Sequence, residues 1–259
     1  MFIEEYFDKS KVIIRKIDKS TAKEMIIKYH YSHTFSLCTV AYGVFYITDN
    51  IDLFFGGNEE KLIGAVIYGG PVGRGTALSI SPLVKIDEVI ELVRLFIFDG
   101  FGRNIESFCI SKSLYLLRRD FPKIKVVISY SDTEQNHNGG IYQASNFLFT
   151  GLNSDINLMP NFSISLICFP YKWIHSRTVF SRYGSHNITH LKKKIGHTFW
   201  RKKEAGKLRY IYIISDKKTK KEIMKTLKMK ILPYPKSTLF VEDIEEIEVN
   251  SPIENRFFG

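Results

Sequence analysis

Apolar runs bounded by turn residues predict strands at 12–17, 40–47, 61–68, 91–98, 126–128, 147–152, 163–169 and 209–214. Helical spacing takes over at 20–28, opened by Ser20 or Thr21 as cap. A strong helix follows at 105–120, with apolar residues at 105, 108, 109, 114, 116 and 117, and Phe121-Pro122 ends it. A short helix at 140–146 and a basic one at 217–228 complete the set. The long turn 49–60, with Gly56 and Gly57, joins the second and third strands as a hairpin. Up to residue 169 the order is β-α-β-β-β-α-β-α-β-β. That order predicts an α/β (α+β) chain: a mixed central sheet flanked by helices.

With 259 residues and 44% hydrophobic content, the chain can bury a full core. There is no run of 18 uncharged apolar residues, and charges punctuate residues 1–16, so neither a membrane span nor a signal peptide is expected. A soluble, cytoplasmic protein is the expectation. Cys38, Cys109 and Cys168 are odd in number, widely spaced and set among apolar neighbours, which predicts buried free thiols. Charge changes the picture more. Residues 1–174 carry 18 Lys+Arg and 18 Asp+Glu, residues 175–236 carry 18 against 3, and residues 237–259 carry 1 against 6. We therefore expect a catalytic domain at 1–174 and a basic extension at 175–259, packed on it and ending in an acidic tail. A block of such sign density needs a polyanion to answer it, and nucleic acid is the leading partner. Lys192, Lys193, Lys194, Arg201, Lys202, Lys203, Arg209 and Tyr210, basic residues interleaved with aromatics, are the expected contacts.

The stretch KVVISYSDTEQNHNGGIYQASNF at 125–147 carries the chemistry. A buried strand delivers Asp132 at its carboxyl end, where open α/β sheets place their sites. The helix that follows puts Ile141, Tyr142, Ser145 and Asn146 on roughly one face. A carboxylate and a phenol then converge on one pocket. Arg94, in ELVRLFIF, sits on an apolar strand where an unpaired charge is costly, so a carboxylate partner or a ligand is expected, with Asp132 the natural candidate. DGFGRN at 99–104 separates a strand from a helix. Gly100, Gly102, Arg103 and Asn104 there form either a tight turn or an anion site. YHYSH at 29–33 offers rings to stack an extruded base, and His30 and His33 to bond phosphate or hold a metal, although no defined ligand spacing supports a metal. His186 and His190 read as phosphate or surface contacts.

The element order resembles the GNAT acyltransferase fold, and IYQASNF is similar to that superfamily's tyrosine-bearing helix and next strand. More narrowly, KYHYSH, LIGAVIYG, ELVRLFI, GRNIESFCIS, VVISYSD, GGIYQASNFLFTG and LRYIYI together resemble the Mom family of phage DNA modification proteins, over roughly residues 20–235. The resemblance implies a phage- or prophage-encoded enzyme that converts adenine in double-stranded DNA to its N6-carbamoylmethyl (methylcarbamoyl) derivative and so blocks restriction. It also implies His30, Tyr31, Arg94, Asp132 and Tyr142 as the catalytic set. Ile97 stands where a GNAT phosphate loop carries Arg or Gln. The acyl donor is open between acetyl-CoA and a glycyl-tRNA, and iron is a further requirement proposed for the family. An ordinary GNAT acting on a protein or small amine is the alternative.

Overall fold

The computed structural model describes residues 7–35, 37–49, 58–70, 74–153, 162–204, 206–236 and 244–249. In chain order the elements are β1 (Val12–Ile17), α1 (Lys19–Tyr29), β2 (Val40–Asp49), β3 (Asn58–Gly69), α2 (Arg74–Leu78), β4 (Val89–Ile97) and α3 (Ile105–Asp120). There follow β5 (Val126–Ser131), α4 (Gly140–Ala144), β6 (Leu148–Leu152), β7 (Phe162–Ser165), α5 (Ser176–Tyr183), α6 (Ile188–Ile195), β8 (Phe199–Lys203), β9 (Leu208–Ile213), α7 (Lys217–Lys225) and β10 (Ile244–Ile247). The fold is mixed α/β, as expected. The turn expected at 49–60 falls largely outside the described residues. Asp18, not Ser20 or Thr21, stands at the N-cap position of α1, with no side-chain bond to the first turn.

The residues group into two compact units: Met1–Asp132 with His137–Gly151 and Leu208–Lys236, and Thr133–Asn136 with Leu152–Lys207 and Ser237–Gly259. The last third of the chain contributes to both. In the first unit, seven strands run in the order β1-β2-β3-β4-β5-β9-β6. β1 to β4 pair antiparallel, β4 and β5 parallel, and β5 and β9 antiparallel. Alternation sorts the side chains: Ala41, Ala65 and Ile67 pack with Ala22, Met25 and Ile26 of α1. Their neighbours Tyr42 and Tyr68 face the other way, bonding Asp120 (3.0 Å) and Ser113 (2.7 Å) of α3. On β5, Val126 and Ile128 join Ile211, Ile213 and Ile223 in a further core.

Two irregularities create the site. β3 and β4 keep register until Ile67↔Arg94, and the next pair is Tyr68↔Leu92, so Val93 is an extra residue, a β-bulge of the kind that re-aims side chains. The β4–β5 ladder ends at Leu92↔Ser129, although both strands continue. Beyond that point the two strand ends no longer share a ladder.

The second unit is built on a three-stranded sheet, β10-β8-β7, whose core joins Ile164, Phe199 and Ile247 to Val179 of α5 and Leu191 of α6. The strand expected at 163–169 stops at Ser165, and a closed loop replaces its second half. Expected as buried, Cys168 lies exposed in that loop and Cys38 is half-buried, while Cys109 is buried and its thiol is pushed up to about 12 by that burial.

Candidate active site

α1 ends at His30, whose backbone N–H still bonds Ile26, and His33 closes the next turn onto the His30 carbonyl with a positive φ of 44°. The Ser32 N–H donates to His30 Nδ1 at 3.1 Å, so a neutral ring carries its proton on Nε2. That ring is buried. Burial first, then the Arg94, His33 and His137 charges, bring its pKa down to about 4, so it is neutral at pH 7. Tyr31 stacks on His30 with centroids 4.3 Å apart and meets the His137 ring edge-on at 6.0 Å. Its own ring stays more than half exposed.

Arg94 holds this turn. Nη2 donates to Thr34 Oγ1 (3.1 Å), Nε to the Thr34 carbonyl (3.4 Å), and Nη1 to the carbonyl of the bulge residue Val93 (2.7 Å). The expectation that Arg94 pairs with Asp132 is therefore corrected. The bulge turns its guanidinium toward the 30–34 turn, and its hydrogen bonds are made there.

Tyr142, on α4, is buried, and burial pushes its hydroxyl up to about 12 against a hydrogen bond with Ser129 that acts the other way. Tyr31, Glu91 and Arg94 are the other groups it senses. Ser129 stands at the last β4–β5 rung and also donates to the Leu92 carbonyl (3.1 Å). Asp132, half-buried just past β5, accepts the His137 N–H on its backbone carbonyl (3.1 Å), and Ser131 Oγ donates to the His137 carbonyl (2.9 Å). Thus His30, Tyr31, Arg94 and Tyr142 lie in one neighbourhood, with Asp132 joined to it through His137.

Sequence reasoning passed over Ser129, Glu91 and His137 as site residues. SYSD names Ser129 only once strand alternation is known to turn it, and not Tyr130, toward α4. The larger correction concerns Tyr210 and Arg209, expected to contact nucleic acid. Tyr210 is 0% exposed: its hydroxyl donates to the Asn138 carbonyl (2.5 Å), accepts from Gln143, and its ring lies 5.3 Å from that of Tyr142. Arg209, 5% exposed, donates to Thr150 Oγ1 and the Thr150 carbonyl, both at 2.9 Å. Both residues lie on the buried strand β9, where burial leaves them no access to a polyanion. They brace α4 and β6 instead.

Gly100 (φ 91°), Gly102 (φ 97°) and Asn104 (φ 68°) turn the chain into α3 with left-handed backbone, and Arg103 and Asn104 are exposed. Ser145 Oγ reaches the Ser107 carbonyl at 3.4 Å, so the first turn of α3 lies beside the end of α4. Lys192 to Lys194 form the last turn of α6. On β8, Arg201 pairs with Glu245 (2.6 Å), Lys202 is buried against Glu134 (3.6 Å), and Lys203 is exposed. His190 donates from Nε2 to the Tyr183 carbonyl (2.8 Å), a contact inside the second unit. Among the described residues no group of three or more His, Cys, Asp or Glu is placed to hold a metal ion. No helix among them is long and apolar enough to cross a membrane.

The model of the Mom protein family matches residues 11–236. The chain belongs to this family. One relative, the methylcarbamoylase Mom of Escherichia phage Mu, is 28% identical over 152 residues. That match covers 57% of this chain and 56% of the relative, so the chain spans just over half the length of the family member it matches. Solved structures that align with it include a spermidine/spermine N-acetyltransferase from Vibrio cholerae (9% identity, 82% of this chain and 97% of that one, TM-score 0.40). Another is a GNAT-family acetyltransferase from Bacillus anthracis (10% identity, 81% and 98%, TM-score 0.38).

Proposed function

We propose that this chain is a DNA-modifying transferase that acts on N6 of adenine in double-stranded DNA and leaves the methylcarbamoyl derivative. The observation that carries the reading is family membership over 11–236 together with the neighbourhood of Tyr142, Arg94, His30 and Tyr31 at the unladdered end of β4 and β5. The base must leave the stack to be reached. Tyr31, exposed and backed by the neutral His30 ring, is the surface on which the extruded adenine stacks.

The amine of adenine then attacks the carbonyl of an acyl ester or thioester. Asp132 accepts the N6 proton, and Tyr142, a neutral phenol at pH 7 whose burial raises its pKa further, returns a proton to the leaving group. Arg94 acts as a positioning residue that fixes the turn carrying Tyr31. A glycyl ester, such as a charged tRNA, accounts for the product without further reagents. After acylation, the glycyl amine attacks ring C6, the original C6–N6 bond breaks, and the isomeric carbamoylmethyl group results. Were the donor acyl-CoA, the backbone at Gly102 to Ile105 and Arg103 would hold its phosphates.

The test is to digest DNA from cells expressing the chain to nucleosides and weigh them. A modified deoxyadenosine that disappears with Asp132→Asn supports the reading, and ordinary deoxyadenosine under good expression refutes it. Purified protein given acetyl-CoA alone should leave DNA unmodified, and modification under those conditions would overturn the glycyl donor.

A further inference from the structure

In the second unit, β7 ends at Ser165 and the chain returns at Ile174, where two backbone hydrogen bonds with Ile164 (3.0 and 2.7 Å) close a loop. One hydroxyl braces both limbs of that loop. Ser165 Oγ accepts the N–H of Lys172 (3.0 Å) and of Ile167 (3.4 Å) and donates to the Ile167 carbonyl (2.9 Å). On this frame Tyr171 stacks on Trp173 at 5.1 Å and 25°, and lies 6.2 Å from Trp200, which stands opposite Ser165 on β8. Lys202, two residues along the same face of β8, sets its ammonium 5.0 Å over the Trp173 ring.

Packing accounts for those three rings. Phe169 meets Tyr171 edge-on at 6.5 Å, yet it projects from the loop 85% exposed, beside the exposed Cys168 and Ile167. A phenyl ring that far out contributes nothing to the core, and a braced frame beneath it holds it out at little further entropic cost. Its surroundings select the partner. From Phe162 to Glu204 the chain carries nine Lys and Arg against one carboxylate, Glu204, which is turned to Ser163 and Ser176. Arg201 and Lys202 are answered by Glu245 and Glu134 from elsewhere in the unit, which leaves seven cations, Lys172, Arg177, Arg182, Lys192, Lys193, Lys194 and Lys203, for a polyanion. Flat apolar faces on a polyanion are what such a surface fits, and in nucleic acid each base supplies one.

We propose that the 166–174 loop is a DNA-reading element: the basic surface holds the phosphates while Phe169 inserts between base pairs of the duplex as a wedge. The inference rests on the reading of the chain as a DNA-modifying enzyme and names the surface by which its second unit takes hold. Both tryptophans of the protein, Trp173 and Trp200, belong to this platform, so intrinsic tryptophan fluorescence reports on it alone. Titrating the full chain with a short duplex should change that fluorescence. Phe169→Ala should weaken duplex binding about tenfold or more, in line with the loss of one stacked aromatic. Tyr115→Ala, which removes a 68% exposed ring on α3, should leave binding unchanged. Thermal melting of both variants should match that of the parent.

Equal duplex affinity for Phe169→Ala and parent overturns the wedge while leaving the enzyme reading intact. The same holds if Phe169→Ala weakens binding only to phosphatidylglycerol vesicles or to single-stranded RNA. A parent chain that binds no duplex and leaves deoxyadenosine unmodified overturns both.

Discussion

His30 is neutral because it is buried beside the Arg94 guanidinium, and that has a consequence for stability. Its folded pKa of about 4 lies below the unfolded value, so between the two the unfolded chain binds the extra proton. The stability contributed by this residue is present above about pH 6.5 and is lost as pH falls through about 4, by about 3 kcal/mol in all. Urea unfolding at pH 7 and pH 5 should show the loss. His30→Asn, which keeps an acceptor for the Ser32 N–H but cannot titrate, should flatten it. Tyr142→Phe tests the other buried group. The ring keeps its contacts with Phe147 and Tyr210, so melting should shift little, while deoxyadenosine modification should fall by about 100-fold or more, the scale of a lost general acid. Both residues were legible in the sequence as members of YHYSH and GGIYQASN. The shifts in their pKa were not, because those depend on burial and on charges from β4 and the 132–137 turn.

At the scale of elements, α4 is only five residues long and owes its place to β9. Gly139, with φ 80°, precedes it, and a Cβ there would stand 2.4 Å from a Tyr210 ring carbon. Gly139→Ala therefore combines left-handed strain with a collision against a fully buried ring. It should cost about 2–3 kcal/mol in unfolding experiments and reduce modification by displacing Tyr142. Tyr210→Phe is the milder probe. It keeps the ring and removes the hydroxyl that bridges Asn138 and Gln143, with an expected cost of about 1 kcal/mol. Arg94→Lys should lower modification while melting changes little, since a lysine cannot reproduce the forked bonds to Thr34 and Val93.

For the whole molecule, the basic third read in the sequence as one block divides between two units. Residues 208–236 lie in the first, whereas Lys192–Lys194 and Arg201–Lys203 lie in the second. If the second unit grips the phosphates, replacing Lys192, Lys193 and Lys194 by Gln should make the plot of log affinity against log salt shallower by about two to three units, measured on duplex DNA. Periodicity alone determined α1, α3, α4, α7 and most strands of the main sheet, because a strand or helix that buries one face must repeat its apolar residues at 2 or 3.6, whereas α2, α5 and α6 were not placed by it. The resemblance to the Mom family marked the 30–31, 94, 132 and 142 positions. Tertiary structure decided the rest: that Val93 bulges and turns Arg94 to Thr34, that Arg209 and Tyr210 are interior braces, and that residues 166–174 form a closed aromatic loop instead of a strand. Each depends on which segment lies beside which, from Ile164 against Ile174 to Thr150 against Arg209, and such pairing leaves no trace in the local apolar pattern.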